Sequence, residues 1–286
     1  MGRITEIYGD NSTGKTLLAT GAVIEAQARD ILTLYIDAES ALSRDRMEEL
    51  GVDSELLGYV TPDTAAQLFE SIANFLAAKA AEFGKDYPAL IVWDSVAATS
   101  TKEEIDTVEQ KGLDQKQFSS AAQQISKAFR TGLPKKLARS NTAIILINQI
   151  RQNVGVMFGD DEVTFGGKAI GFYSSVRIKL RGSGAIKDAG EVVGMRAKVT
   201  TKKNRLAPPF RMTVIPMYFD YGVDDAEATF DYAKDKGYIQ HSSSGWYHWE
   251  ELREQSFQKA GWCEPDGVFD EHYDRIVELL GANTDS

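Results

Sequence analysis

Residues Gly9-Asp10-Asn11-Ser12-Thr13-Gly14-Lys15-Thr16 fit the pattern G-x-x-x-x-G-K-[ST], and their surroundings restrict how the chain can fold. An apolar, β-rich run over residues 3–8 leads into the loop, and a helical pattern starts near Lys15. A strand–loop–helix of this kind turns backbone N–H groups and the positive end of a helix toward a phosphate. The glycines let the loop curl, Lys15 reaches β- and γ-phosphates, and Thr16 offers its hydroxyl to Mg²⁺.

The rest of the first 150 residues repeats the alternation. Strand-length runs at 31–36, 89–93 and 143–148 are separated by helical periodicity, as at 65–81 and 117–138. This predicts an α/β fold with a mostly parallel sheet covered on both faces. Segments 174–181, 191–201 and 210–217, rich in β-branched residues and parted by Gly- or Pro-bearing turns, predict an antiparallel extension of that sheet. Beyond Gly222 the chain becomes acidic and aromatic, and predicts a small C-terminal α/β lobe, mainly helical, with helices near 226–236, 250–259 and 270–280. The expected domains are 1–222 and 223–286.

Charge follows the same division. The chain carries 32 Lys+Arg against 42 Asp+Glu, yet residues 151–210 hold 11 basic and 5 acidic side chains. Residues 224–286 hold 5 basic and 15 acidic ones. Such segregation suggests a basic working surface on an acidic body. The single cysteine, Cys263, excludes an internal disulfide framework. With no apolar stretch of membrane-spanning length and no secretory signal pattern, the expected location is the cytoplasm.

Several expected strands end in polar residues where α/β sheets bind ligands. The run 89–93 ends at Asp94, suited to support a metal ion beside the phosphate loop. Tyr35-Ile36-Asp37-Ala38-Glu39 ends in carboxylates, one of which could polarise an attacking water, and Gln149 follows residues 144–148, where an amide could sense the γ-phosphate.

Taken in order, these residues resemble the RecA family of bacterial and phage recombinases. The resemblance runs through the phosphate loop, residues 35–39, Asp94-Ser95-Val96-Ala97-Ala98 and Ile147-Asn148-Gln149-Ile150-Arg151. It continues through Gly155-Val156-Met157-Phe158-Gly159, Gly166-Gly167-Lys168-Ala169 and Lys203-Asn204-Arg205. It covers roughly residues 1–215 and, more loosely, the remainder. It implies a RecA-like ATPase core that uses ATP and Mg²⁺ to promote homologous pairing and strand exchange. Glu39 falls at the catalytic carboxylate, acting with Lys15 and the sensor Gln149, while Thr16 and Asp94 serve the metal. Arg46 stands among the residues that face the base, where Ser43 and Arg46 replace an acid and a tyrosine. Lys203 and Arg205 fall where family members reach a neighbour's γ-phosphate, so filaments are expected. Residues Arg151, Gln152, Asn153, Met157, Phe158, Gly166, Gly167 and Lys168 fall on the second DNA loop. Single-stranded and homologous duplex DNA are the implied partners.

That loop also makes sense from its chemistry. Its cations and amides suit phosphates, and Phe158 and Met157 suit unstacked bases. Because the match starts at the first core strand, the family's N-terminal gripping segment is expected to be missing. A ring-forming motor on the same fold and a non-assembling accessory protein are the alternatives. The three histidines, His241, His248 and His272, lack metal-ligand spacing, and Trp246, Tyr247 and Trp249 are expected in the lobe core.

Overall fold

The structure is a computed structural model and describes residues 2–40, 42–111, 120–152, 162–252 and 256–282. Its strands are β1 (Ile4–Gly9), β2 (Leu32–Asp37), β3 (Leu57–Val60), β4 (Ala89–Asp94), β5 (Thr142–Gln152), β6 (Glu162–Thr164), β7 (Val176–Asp188), β8 (Glu191–Asn204), β9 (Met212–Tyr218) and β10 (Gly222–Val223). They build one sheet in the order β10-β9-β8-β7-β1-β5-β4-β2-β3, with β6 attached to β5. Pairing is parallel from β7 to β3 and antiparallel from β7 to β10. This is the parallel sheet with an antiparallel extension that the alternation predicts; the short strand β3 was not foreseen.

The helices beside it are α1 (Lys15–Ala28), α2 (Arg44–Glu49), α3 (Ala65–Glu82), α4 (Lys102–Lys111), α5 (Ser120–Thr131), α6 (Leu133–Arg139) and α7 (Gly167–Tyr173). Strand side chains alternate between faces, and both faces are buried. Leu34, Ile36, Ile91, Trp93, Ile144 and Leu146 pack with Leu68 and Ile72 of α3 and Ile125 and Phe129 of α5. On the opposite face Tyr35, Val92 and Ile147 pack with Ala19, Val23 and Ala26 of α1. The helical stretch expected over 117–138 is two helices within its described part. Gly132, at φ 135°, breaks it, and Pro134 opens the next.

The C-terminal segment carries its own aromatic core of Phe230, Trp249, Phe257, Trp262 and Phe269. It contains α8 (Asp225–Asp235), α9 (Lys259–Cys263), α10 (Val268–Glu271) and α11 (Tyr273–Ala282). It also contains a three-stranded antiparallel sheet, β11 (Gln240–Ser243), β12 (Trp246–His248) and β13 (Phe257–Gln258). The helix expected over 250–259 is therefore a correction: a short 3₁₀ turn at Glu250–Leu252 and β13 stand there instead. Leu252 and Phe257 both enter the core. Five helical positions would turn them apart by about 140°, so a continuous helix could not bury both. Arg196 of β8 ties this lobe to the sheet through Glu227 (2.7 Å) and Asp231 (3.3 Å) of α8.

Candidate functional site

The carboxyl ends of β1, β2, β4 and β5 meet at one edge of the sheet, where open α/β folds hold ligands. The loop after β1 curls over α1. Gly9 lies so close to the Leu180 carbonyl that a side chain would collide with it, and Gly14 caps α1 at φ 82° against the Met217 sulfur. Both positions demand glycine. The Asp10 carbonyl accepts Thr13 Oγ1 at 2.9 Å and Lys15 Nζ at 2.5 Å, which holds the loop closed on itself. Burial lowers the pKa of the Lys15 ammonium, opposed by Asp94, Glu39 and Asp10.

Beneath the loop, Thr16 Oγ1 donates to Asp94 Oδ2 at 2.7 Å, and the buried Tyr35 hydroxyl donates to the same oxygen at 2.8 Å. Burial raises the Asp94 pKa, while these two donors act against that rise. Burial and Asp94 push the Tyr35 phenol well above its usual range, so it stays a donor. Among the described residues no group of three His, Cys, Asp or Glu side chains is placed to hold a metal. A hydroxyl and one carboxylate beside a phosphate loop nevertheless suit Mg²⁺, which takes few protein ligands and completes its shell with phosphate oxygens and water.

The two candidate carboxylates, Asp37 at the end of β2 and Glu39 just beyond it, separate clearly. Asp37 is buried and accepts Tyr59 OH at 2.8 Å and the backbone N–H groups of Glu39 and Leu42, so it braces the turn. Glu39 is exposed, and its Oε1 accepts Ser95 Oγ at 2.6 Å and Gln149 Nε2 at 3.1 Å. Sequence reasoning did not find Ser95 or Tyr35, whose proximity to Asp94 and Glu39 arises only when the strands align. Residues 11–16, Glu39, Asp94 and Gln149 line a cavity of about 540 Å³. A further wall includes Arg46, Leu50, Met195 and Phe219. Arg46 spans that wall, bonding Glu49 at 2.7 Å and the Phe219 carbonyl.

Other predicted residues lie apart from this cavity. Lys203 Nζ donates to the carbonyls of Gly171 (2.7 Å) and Phe172 (2.9 Å), and Arg205 Nη2 to that of Phe172 (3.3 Å), at the C-terminal end of α7. Gly166 is buried against Ile170, while Gly167 and Lys168 are exposed at the start of the same helix. Asn153, Met157 and Phe158 lie outside the described residues, and Arg151 and Gln152 are described only as backbone of β5. The basic segment is less of a free surface than its charge suggests. Arg177 and Arg196 face carboxylates, Lys203 holds carbonyls, and Lys179 is buried.

Comparison with known proteins agrees with this geometry. A family model described as the RecA N-terminal domain matches residues 1–224. The chain is 39% identical over 246 residues to Protein RecA of Syntrophus aciditrophicus, covering 86% of this chain and 68% of that one. It is 38% identical over 252 residues to Protein RecA of Bacteroides thetaiotaomicron, covering 88% and 72%. With Protein RecA of Rhodococcus jostii the identity is 37% over 287 residues, covering 99% and 79%. These relatives do not favour a ring motor or an accessory protein. No helix among the described residues is long and apolar enough to cross a membrane. With its phosphate loop, the buried Asp94 beneath that loop and these relatives, the chain belongs to the RecA family, the recombinases of DNA repair and recombination.

Proposed function

We propose that the chain hydrolyses ATP in a DNA-dependent manner and uses the nucleotide state to control its hold on single-stranded DNA. The observation that carries this reading is the meeting of Lys15, Thr16–Asp94 and Glu39–Gln149 in one cavity. Lys15 would leave the Asp10 carbonyl for the β- and γ-phosphates. Mg²⁺, held through the Thr16 hydroxyl and Asp94, would neutralise phosphate charge. Glu39 would orient water toward the γ-phosphate, with Ser95 and Gln149 fixing its carboxylate. Arg46 would border the base.

Gln149 would exchange Glu39 for the γ-phosphate and so report its presence to the segment that follows. Arg151, Gln152, Asn153, Met157, Phe158, Gly166, Gly167 and Lys168 would bind the strand through its backbone and bases, with little sequence preference. Lys203 and Arg205 would reach a neighbour's γ-phosphate in a filament on which homologous duplex DNA is paired. The test is steady-state ATP hydrolysis with and without single-stranded DNA over a salt series. Stimulation by DNA that weakens as salt rises is the expected result; equal rates with and without DNA refute the proposal.

A further inference from the structure

Glu6 lies within the central strand β1, and its side chain is fully buried. A carboxylate there needs donors on both oxygens. Asn148 Nδ2 supplies one, 3.0 Å from Oε1, and Arg177 Nε supplies the other, 2.6 Å from Oε2. None of the three lines the nucleotide cavity. Strand pairing does not require them either, because β1 is already joined to β5 and β7 by continuous backbone ladders.

Both arms of this cluster lead to α7. Asn148 Oδ1 accepts the backbone N–H of Gln149 at 3.0 Å, and its amide also donates to the Phe165 carbonyl at 2.9 Å, just ahead of Gly166, Gly167 and Lys168. On the other side the Arg177 guanidinium lies over the Tyr8 ring, 4.6 Å from its centroid, and packs against Gly171. The Gly171 and Phe172 carbonyls are those held by Lys203 and Arg205. Contacts therefore run without a break from the Gln149 backbone to both ends of α7.

We infer that Glu6 is a positioning residue that couples Gln149 to α7, so that movement of the sensor shifts both the DNA-facing start of that helix and the Lys203–Arg205 end. The inference rests on the proposed function. Every polar atom of a buried network must stay paired, so the cluster shifts as a unit. A displacement of Gln149 drags Asn148, and Asn148 cannot move without Glu6 and Phe165.

The test uses the full chain, a fluorescent single-stranded oligonucleotide and a non-hydrolysable ATP analogue. The readout is the gain in DNA affinity that the analogue produces, with the affinity for the analogue alone and the melting temperature measured beside it. The variants are E6Q, R177M and the pair E6Q/R177M. Coupling of this kind is of the order of 5- to 150-fold, and each variant should bring the gain to within about twofold of none. Analogue affinity should stay within about twofold of wild type. The pair variant should recover melting temperature without recovering the gain, because its charges balance while the link stays cut. Retention of the gain in any of the three, or its return together with stability in the pair, overturns the inference. If E6Q fails to fold, R177K, which keeps the charge but not the Nε–H, is judged by the same criterion. A wild-type chain with no gain would refute the proposed function, whereas wild-type gain preserved in the variants would refute this inference alone.

Discussion

Replacing Asp94 by Asn separates what this carboxylate costs the fold from what it contributes to chemistry. Asp94 is 6% exposed and accepts two hydrogen bonds on one oxygen, from Thr16 and Tyr35. An asparagine carbonyl oxygen can occupy the same place and keep both donors. Turning two charge-assisted bonds into neutral ones costs roughly 1 kcal/mol each. Some attraction to Lys15 is lost as well. Against this, removing a buried charge relieves a desolvation cost of several kcal/mol. The balance at pH 7 is between about 0 and 2 kcal/mol in favour of Asn, and each kcal/mol moves the melting temperature of a chain near this size by roughly 2–4 °C.

The pH dependence follows from the raised Asp94 pKa. A group whose pKa is raised on folding adds stability at low pH and loses it as pH rises through the folded value. The wild type should therefore lose this contribution as pH rises from the ordinary aspartate range through the raised folded value, and D94N should not. The difference in melting temperature, followed by circular dichroism from pH 4 to 7, should shift toward the variant as pH rises. ATP hydrolysis should meanwhile fall by about 10²- to 10³-fold, the scale of losing a metal ion's charge stabilisation. A D94N protein that melts more than about 5 °C below wild type at pH 7 would show that the carboxylate stabilises the fold, and would refute the reasoning.

Other changes probe different parts of the structure. E39Q keeps the amide contacts but removes the carboxylate proposed to orient the attacking water, so nucleotide binding should persist while turnover drops by about 10²- to 10⁴-fold in a phosphate-release assay. K79M removes an ammonium that donates to the carbonyls of Lys85, Tyr87 and Ser140 at 2.7, 2.8 and 2.6 Å. It should lower stability by about 2–4 kcal/mol in urea unfolding, with nucleotide affinity unchanged. R46A removes the arm between α2 and the Phe219 carbonyl, and should weaken nucleotide binding about tenfold by calorimetry while leaving the melting temperature within about 2 °C of wild type.

The parts of the site that were legible in the sequence are local. The phosphate loop is one continuous segment between a strand and a helix, and Asp94 and Gln149 stand at or beside strand ends whose apolar runs announce them. Choosing Glu39 over Asp37 required the resemblance, because both carboxylates follow the same apolar run. The structure separates them by burial and by Tyr59, which is 22 residues from Asp37. The Glu6 cluster left no signal, since its partners lie 142 and 171 residues away and a single acid in an apolar strand reads as an ordinary interruption. The positions of the strands in the lobe's small sheet were hidden for a different reason. Ser244 and Gly245 make the turn with positive φ, and the strands they join are only four and three residues long.

In the proposed function, hydrolysis rather than nucleotide binding alone loosens the grip on DNA. Stopped-flow release of a labelled single strand, after wild type and E39Q are each loaded with ATP and that strand and then mixed with excess competitor strand, tests this directly. Wild type should release the strand at the rate at which phosphate appears, and E39Q should hold it at least about tenfold longer. Release at the same rate from both proteins would contradict the account.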